Sequence, residues 1–70
     1  MEKIPVFLAS DNGYSPFVAT TIKSIMDNTQ SNIDCYILDG GINDKNKEKI
    51  KQLENDYKNL YIEFIQLDVN

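Results

Sequence analysis

Asp11 and Tyr14 stand three residues apart in the stretch LASDNGYSPF, where an apolar run gives way to polar residues and a glycine. A flat ring beside a carboxylate and free backbone N–H groups suits a nucleobase. The ring stacks on the base, and the carboxylate accepts a hydrogen bond from a base imide. The same residues also fit a plain turn into a helix. Asp and Asn end strands, Gly13 turns the chain, and Tyr14 then packs on the helix that follows. Two more acids, Asp39 and Asp68, fall at the ends of apolar runs. Asp68-Val69-Asn70 has the look of a metal pair, but its place at the chain end reads more simply as a strand exit.

Other chemistries find no support. The chain has no histidine and one cysteine, Cys35. Histidine acid–base chemistry and an internal disulfide are therefore excluded, and a zinc site is not expected. The turn after the first apolar run holds only Gly13, so it lacks the G-x-G-x-x-G of a dinucleotide fold, and the P-loop pattern is absent. Asp39 sits where a ribose-binding acid would, but without those glycines. The net charge of -4 argues against nucleic acid as a partner. No apolar run approaches the roughly 20 residues needed to span a bilayer, and a secretory signal is not expected. The expected setting is reducing and cytoplasmic.

Five elements must position these residues. The sequence predicts a strand over Ile4–Ser10 and a helix over Ser15–Asn28, with Ser15 as its cap and Pro16 in its first position. Phe17, Val18, Thr21, Ile22, Ile25 and Met26 form its apolar stripe. A strand over Ile33–Leu38 follows, then the loop DGGIND. A second helix is expected over Asp44–Lys58, capped by Asn43 or Asp44, with Ile50, Leu53 and Tyr57 on one side. Leu60–Leu67 closes the series as an edge strand. The lysine-rich run 45–51 reads as a solvated helix face.

This β-α-β-α-β order predicts an α/β fold with a parallel sheet and right-handed crossovers. A strand order of 3-2-1 places both helices on one face. The first two strands are apolar on both sides, as in a sheet covered twice, yet nothing in the sequence covers the second face. The 70 residues are thus expected to be a single, incomplete unit, half of a doubly wound sheet. Such a sheet binds ligands beyond the carboxyl ends of its strands. Exposed apolar surface on the free face or edge leads to an expectation of self-association.

FLASDNGYSPFVATTIKSI followed by CYILDGGINDKNKEKIKQL resembles the N-terminal part of family 8 glycosyltransferases, retaining enzymes of the GT-A type. ASDNGY at the strand exit, KSI in the first helix and LDGGI before the second carry the resemblance. It implies that Tyr14 stacks on the uracil of a UDP-sugar, that Asp11 accepts from the uracil imide, and that the Ala9 backbone completes base recognition. The family often has an asparagine immediately before this tyrosine. Here Gly13 stands there, and Asn12 is the candidate one place earlier. LDGGI is expected to shape a loop. The family's manganese-binding Asp-x-Asp motif has no counterpart in the chain, nor do its acceptor residues. The resemblance therefore implies the UDP-sugar-binding segment of a hexosyltransferase, inactive alone. The rival readings are a doubly wound nucleotide- or metal-binding regulatory module and a noncatalytic, self-associating remnant.

Overall fold

The computed structural model describes residues 3–66. Its elements are β1 (Lys3–Ser10), α1 (Ser15–Asp27), β2 (Asn32–Asp39), α2 (Asp44–Lys51), α3 (Leu53–Asp56) and β3 (Leu60–Gln66). The three strands form one parallel sheet in the order β1-β2-β3. This is the predicted α/β arrangement, and it brings the ends of β1 and β2 side by side. Leu67 and Asp68 lie outside the described residues.

The register divides each strand into two rows. Ile33, Cys35 and Ile37 of β2, with Leu60 and Ile62 of β3, are buried. They meet Val18, Ile22 and Met26 of α1, Ile50 of α2, Leu53 of α3 and the loop residue Ile42 in one core. The opposite row is open: Phe7 is 64% exposed and stacks on half-buried Tyr36, with ring centroids 5.2 Å apart. The second face is thus left uncovered among the described residues, as the sequence leads one to expect. All three helices contribute to the core on a single face.

Hydrogen-bond parity fixes which backbone groups remain free. In a parallel pair each residue sends its N–H and C=O to the same side, and successive residues alternate. The Ile33 N–H donates to the Asn59 carbonyl at 2.8 Å, and the Gly40 N–H to the Ser10 carbonyl at 2.8 Å. Pro5, Phe7 and Ala9 thus turn their backbone polar groups away from β2. Pro5 loses no ladder bond there, as an edge requires. On the far edge, Leu60, Ile62 and Phe64 point outward.

That far edge is occupied at Ile62. Its N–H donates to Glu54 Oε2 at 2.6 Å, and Lys51 Nζ donates to its carbonyl. Lys51 and Glu54 are themselves paired at 3.0 Å. The predicted single helix over Asp44–Lys58 is accordingly two segments. The chain tightens at Gln52, whose carbonyl accepts from the Asn55 N–H at 3.0 Å in a three-residue step, and helical structure ends at Asp56.

The start of α1 also differs from expectation. Tyr14, not Ser15, occupies the cap, and it makes no side-chain capping bond. Ser15 lies inside the helix, is buried, and donates its Oγ to the Asn12 carbonyl at 2.9 Å. The Tyr14 carbonyl already accepts the first helical N–H groups, from Phe17 and Val18, so the cap falls one residue before Ser15. The buried stripe of α1 is Ser15, Val18, Ile22 and Met26. Phe17, expected within it, is 62% exposed, and Thr21 is exposed with its hydroxyl donated to the Phe17 carbonyl.

Candidate functional site

The turn after β1 is organised by its own side chains. Asp11 Oδ1 accepts the Tyr14 N–H at 2.8 Å, closing an Asx-type turn. Ser10 Oγ donates to the Asp11 carbonyl at 2.7 Å. The Tyr14 carbonyl then accepts from Phe17 and Val18 and starts the helix. These local bonds hold the Tyr14 ring at the sheet's carboxyl edge, 55% exposed.

Ala9, Ser10, Asp11 and Tyr14 line an open cleft of about 330 Å³, with Leu38 and Gly40 from the end of β2. Three of the four candidate site residues, Ala9, Asp11 and Tyr14, therefore share one depression. Ala9 enters with its backbone groups turned away from β2, available to a ligand. Asn12 does not line the cleft. Its Oδ1 accepts from the Asn43 N–H and from Asn46 Nδ2, each at 2.9 Å. Asn43 in turn caps α2, accepting the Asn46 N–H at 2.8 Å. The Asn12 side chain thus ties the turn after β1 to the start of α2.

The loop after β2 depends on Asp39, which is 4% exposed. Its Oδ1 accepts from Gly41 and Ile42 N–H groups at 2.9 and 2.7 Å, and its Oδ2 pairs with Lys47 Nζ at 2.7 Å. The hydrogen bond from Lys47 and the two backbone donors outweigh burial and hold its pKa down at about 2. Both carboxylate oxygens are engaged within the protein, so Asp39 shapes the loop. The glycines serve the same path. A Cβ on Gly40 would sit 3.2 Å from the Ser10 carbonyl, and Gly41 has a φ of 120°.

Sequence reading missed three cleft-lining positions, Ser10, Leu38 and Gly40. The Ala9↔Leu38 pairing brings the second strand to the site, and register is not visible in either strand alone. It also missed Phe17, whose ring stacks on Tyr14 with centroids 5.3 Å apart. The three-residue spacing of these aromatics across the helix start was the available signal.

Cys35 is a buried thiol that burial pushes up to about 11, which leaves it inert rather than nucleophilic. Among the described residues no group of three or more His, Cys, Asp or Glu is placed to hold a metal ion. The divalent ion implied by the family resemblance therefore finds no fitting donor set in them. No described helix is long and apolar enough to cross a membrane.

Comparison with known proteins agrees with this architecture. A Haemophilus influenzae protein named "Putative glycosyltransferase" is 42% identical over 52 residues, covering 74% of this chain and 16% of that protein. A crystal structure of the galactosyltransferase LgtC, in complex with donor and acceptor sugar analogs, superposes with a TM-score of 0.72 at 25% identity. An active-site mutant of LgtC superposes with a TM-score of 0.79 at 24% identity, which bears on the fold alone. Each structural match covers 93% of this chain but 23% of the other. The chain thus spans less than a quarter of the length of these relatives. The family model described as glycosyl transferase family 8 matches residues 5–68, and the chain belongs to that family.

Proposed function

We propose that the cleft at the ends of β1 and β2 holds the uridine of a UDP-sugar, and that the protein transfers a hexose from this donor to a glycan or lipid-linked acceptor with retention. The observation that carries the reading is the convergence of Ala9, Asp11 and Tyr14 on one cleft. Tyr14 offers a ring face to the base. Asp11 spends Oδ1 on its own turn and offers Oδ2 to the uracil imide N–H. The Ala9 backbone completes the base edge. Asp11 also selects, because the uracil imide is a donor whereas the matching cytosine ring nitrogen is an acceptor.

A catalytic metal and an acceptor site would fall in the parts of the longer relatives that this chain does not match. A divalent ion there would neutralise the diphosphate leaving group. The shares of the relatives covered support this division. Expressed alone, the 70-residue chain is expected to transfer no sugar. The reading is tested by calorimetric titration of the natural-length protein with UDP and CDP. Tighter binding of UDP is expected, and equal affinity for the two would overturn the assignment.

A further inference from the structure

Phe17 is a large apolar side chain left 62% exposed on a helix whose other large apolar residues are buried or half-buried. It does not line the cleft. Its one aromatic contact is with Tyr14, at a centroid distance of 5.3 Å and an interplanar angle of 30°. Tyr14 is otherwise held through its main chain, by the Asp11 carboxylate and the first helical bonds. Those bonds fix where the ring begins but not how it is turned. Nothing in the turn besides Phe17 offers a flat surface to restrain the ring.

We propose that Phe17 is a positioning residue. It covers one face of Tyr14 and holds the ring so that the opposite face is presented to a base in the cleft. The inference rests on the uridine-binding reading above. A free Tyr14 ring would sample several rotamers, and binding would have to select one of them and lose affinity accordingly. Stacking on Phe17 makes that selection in advance, which improves affinity without any contact between Phe17 and the ligand. The i, i+3 placement makes this possible, because the two side chains rise on the same side of the first turn.

A double-mutant cycle on the natural-length protein tests this, with UDP as the titrant and circular dichroism as the folding control. Phe17→Ala is expected to weaken UDP binding about three- to tenfold, the range of an aromatic pair. Phe17→Tyr, which keeps a ring in place, is expected to restore it. In a Tyr14→Ala background, Phe17→Ala is expected to change nothing further, because there is no ring left to position. Phe17→Ala without effect, where Tyr14→Ala does weaken binding, would overturn the positioning role and leave the uridine site standing. Equal losses from Phe17→Ala with and without Tyr14 would also overturn it, since Phe17 would then touch the ligand itself. No loss from Tyr14→Ala would overturn the uridine site, and this inference with it. Phe17 is exposed, so a folded variant is expected, and Phe17→Leu supplies a less severe truncation for the same cycle.

Discussion

Asn12 Oδ1 accepts the backbone N–H of Asn43 at 2.9 Å, a bond between residues 31 apart in the chain. It fastens the turn that carries Asp11 and Tyr14 to the loop that opens α2. The same oxygen accepts from Asn46 Nδ2, so both of its partners are donors. Asn12→Ala is expected to cost about 1 kcal/mol of stability, the usual net value of such a bond. Asn12→Asp keeps an acceptor beside the helix start and is expected to retain most of that stability. Urea unfolding of the two variants checks the difference, and equal losses would mean that the bridge contributes nothing specific.

Tyr14→Ala should weaken UDP binding roughly tenfold or more, since base–aromatic stacking is worth about 1–3 kcal/mol and each 1.4 kcal/mol is about tenfold. Asp11→Asn should narrow the preference for UDP over CDP. Asparagine keeps the oxygen that accepts from the Tyr14 N–H, so the turn is preserved while the ligand-facing charge is lost. Titrations of both variants with both nucleotides measure this, and an undiminished UDP preference in Asp11→Asn would remove Asp11 from base recognition.

Asp39 makes stability depend on acidity. Its pKa in the fold is about 2, below the ordinary value of 3.8, chiefly through the hydrogen bond from Lys47. A carboxyl whose folded pKa is lowered stabilises the fold above its unfolded pKa and loses that contribution as pH falls through the folded value. The contribution is therefore full above about pH 4 and declines toward pH 2. Asp39→Asn removes the titrating group. Wild type is expected to be more stable than this variant near neutral pH, and the gap is expected to close below pH 4. Denaturant midpoints of both proteins across that range provide the check, and a gap independent of pH would contradict it.

The outer edge of β3 gives a local readout. Glu54 Oε2 holds the Ile62 N–H at 2.6 Å, in the position a neighbouring strand would take. Hydrogen bonds to charged groups are worth about 1.5–3 kcal/mol. Glu54→Ala is therefore expected to speed hydrogen exchange at the Ile62 amide by about tenfold or more. An unpaired strand edge also invites pairing with another chain, so the variant should associate more readily than wild type in sedimentation. Unchanged exchange at Ile62 in a folded variant would show that the side chain does not hold the amide in solution.

Much of the candidate site was legible because it is built locally. The change from IPVFLA to DNG ends β1, and Asp11 and Tyr14 are joined by a three-residue turn whose chemistry resides in those residue types. Asn43 as a cap could be read in the same way. Phe17 and Ser15 were not legible. Helical spacing places Phe17 near the apolar stripe, but packing on the sheet buries the row Ser15, Val18, Ile22 and Met26 and leaves Phe17 outside it. Ser15 has the composition of a cap, yet the helix starts one residue earlier, at the Tyr14 carbonyl, and Ser15 falls inside its first turn.

The sequence by itself determined the alternation of strands and helices, the parallel sheet, and the small polar turn at the end of β1, since each follows from periodicity and short-range hydrogen bonding. Tertiary structure alone decided which groups meet. The β1–β2 register set Leu38 and Gly40 beside Ala9 and Tyr14, and strand parity turned the Ala9 backbone toward the open edge. It also diverted two conspicuous polar residues, Asn12 to α2 and Asp39 to Lys47 and its own loop. A side chain's chemical type says which bonds it can make. Which bond forms depends on partners brought close by packing of elements distant in the chain, and no local pattern records that distance.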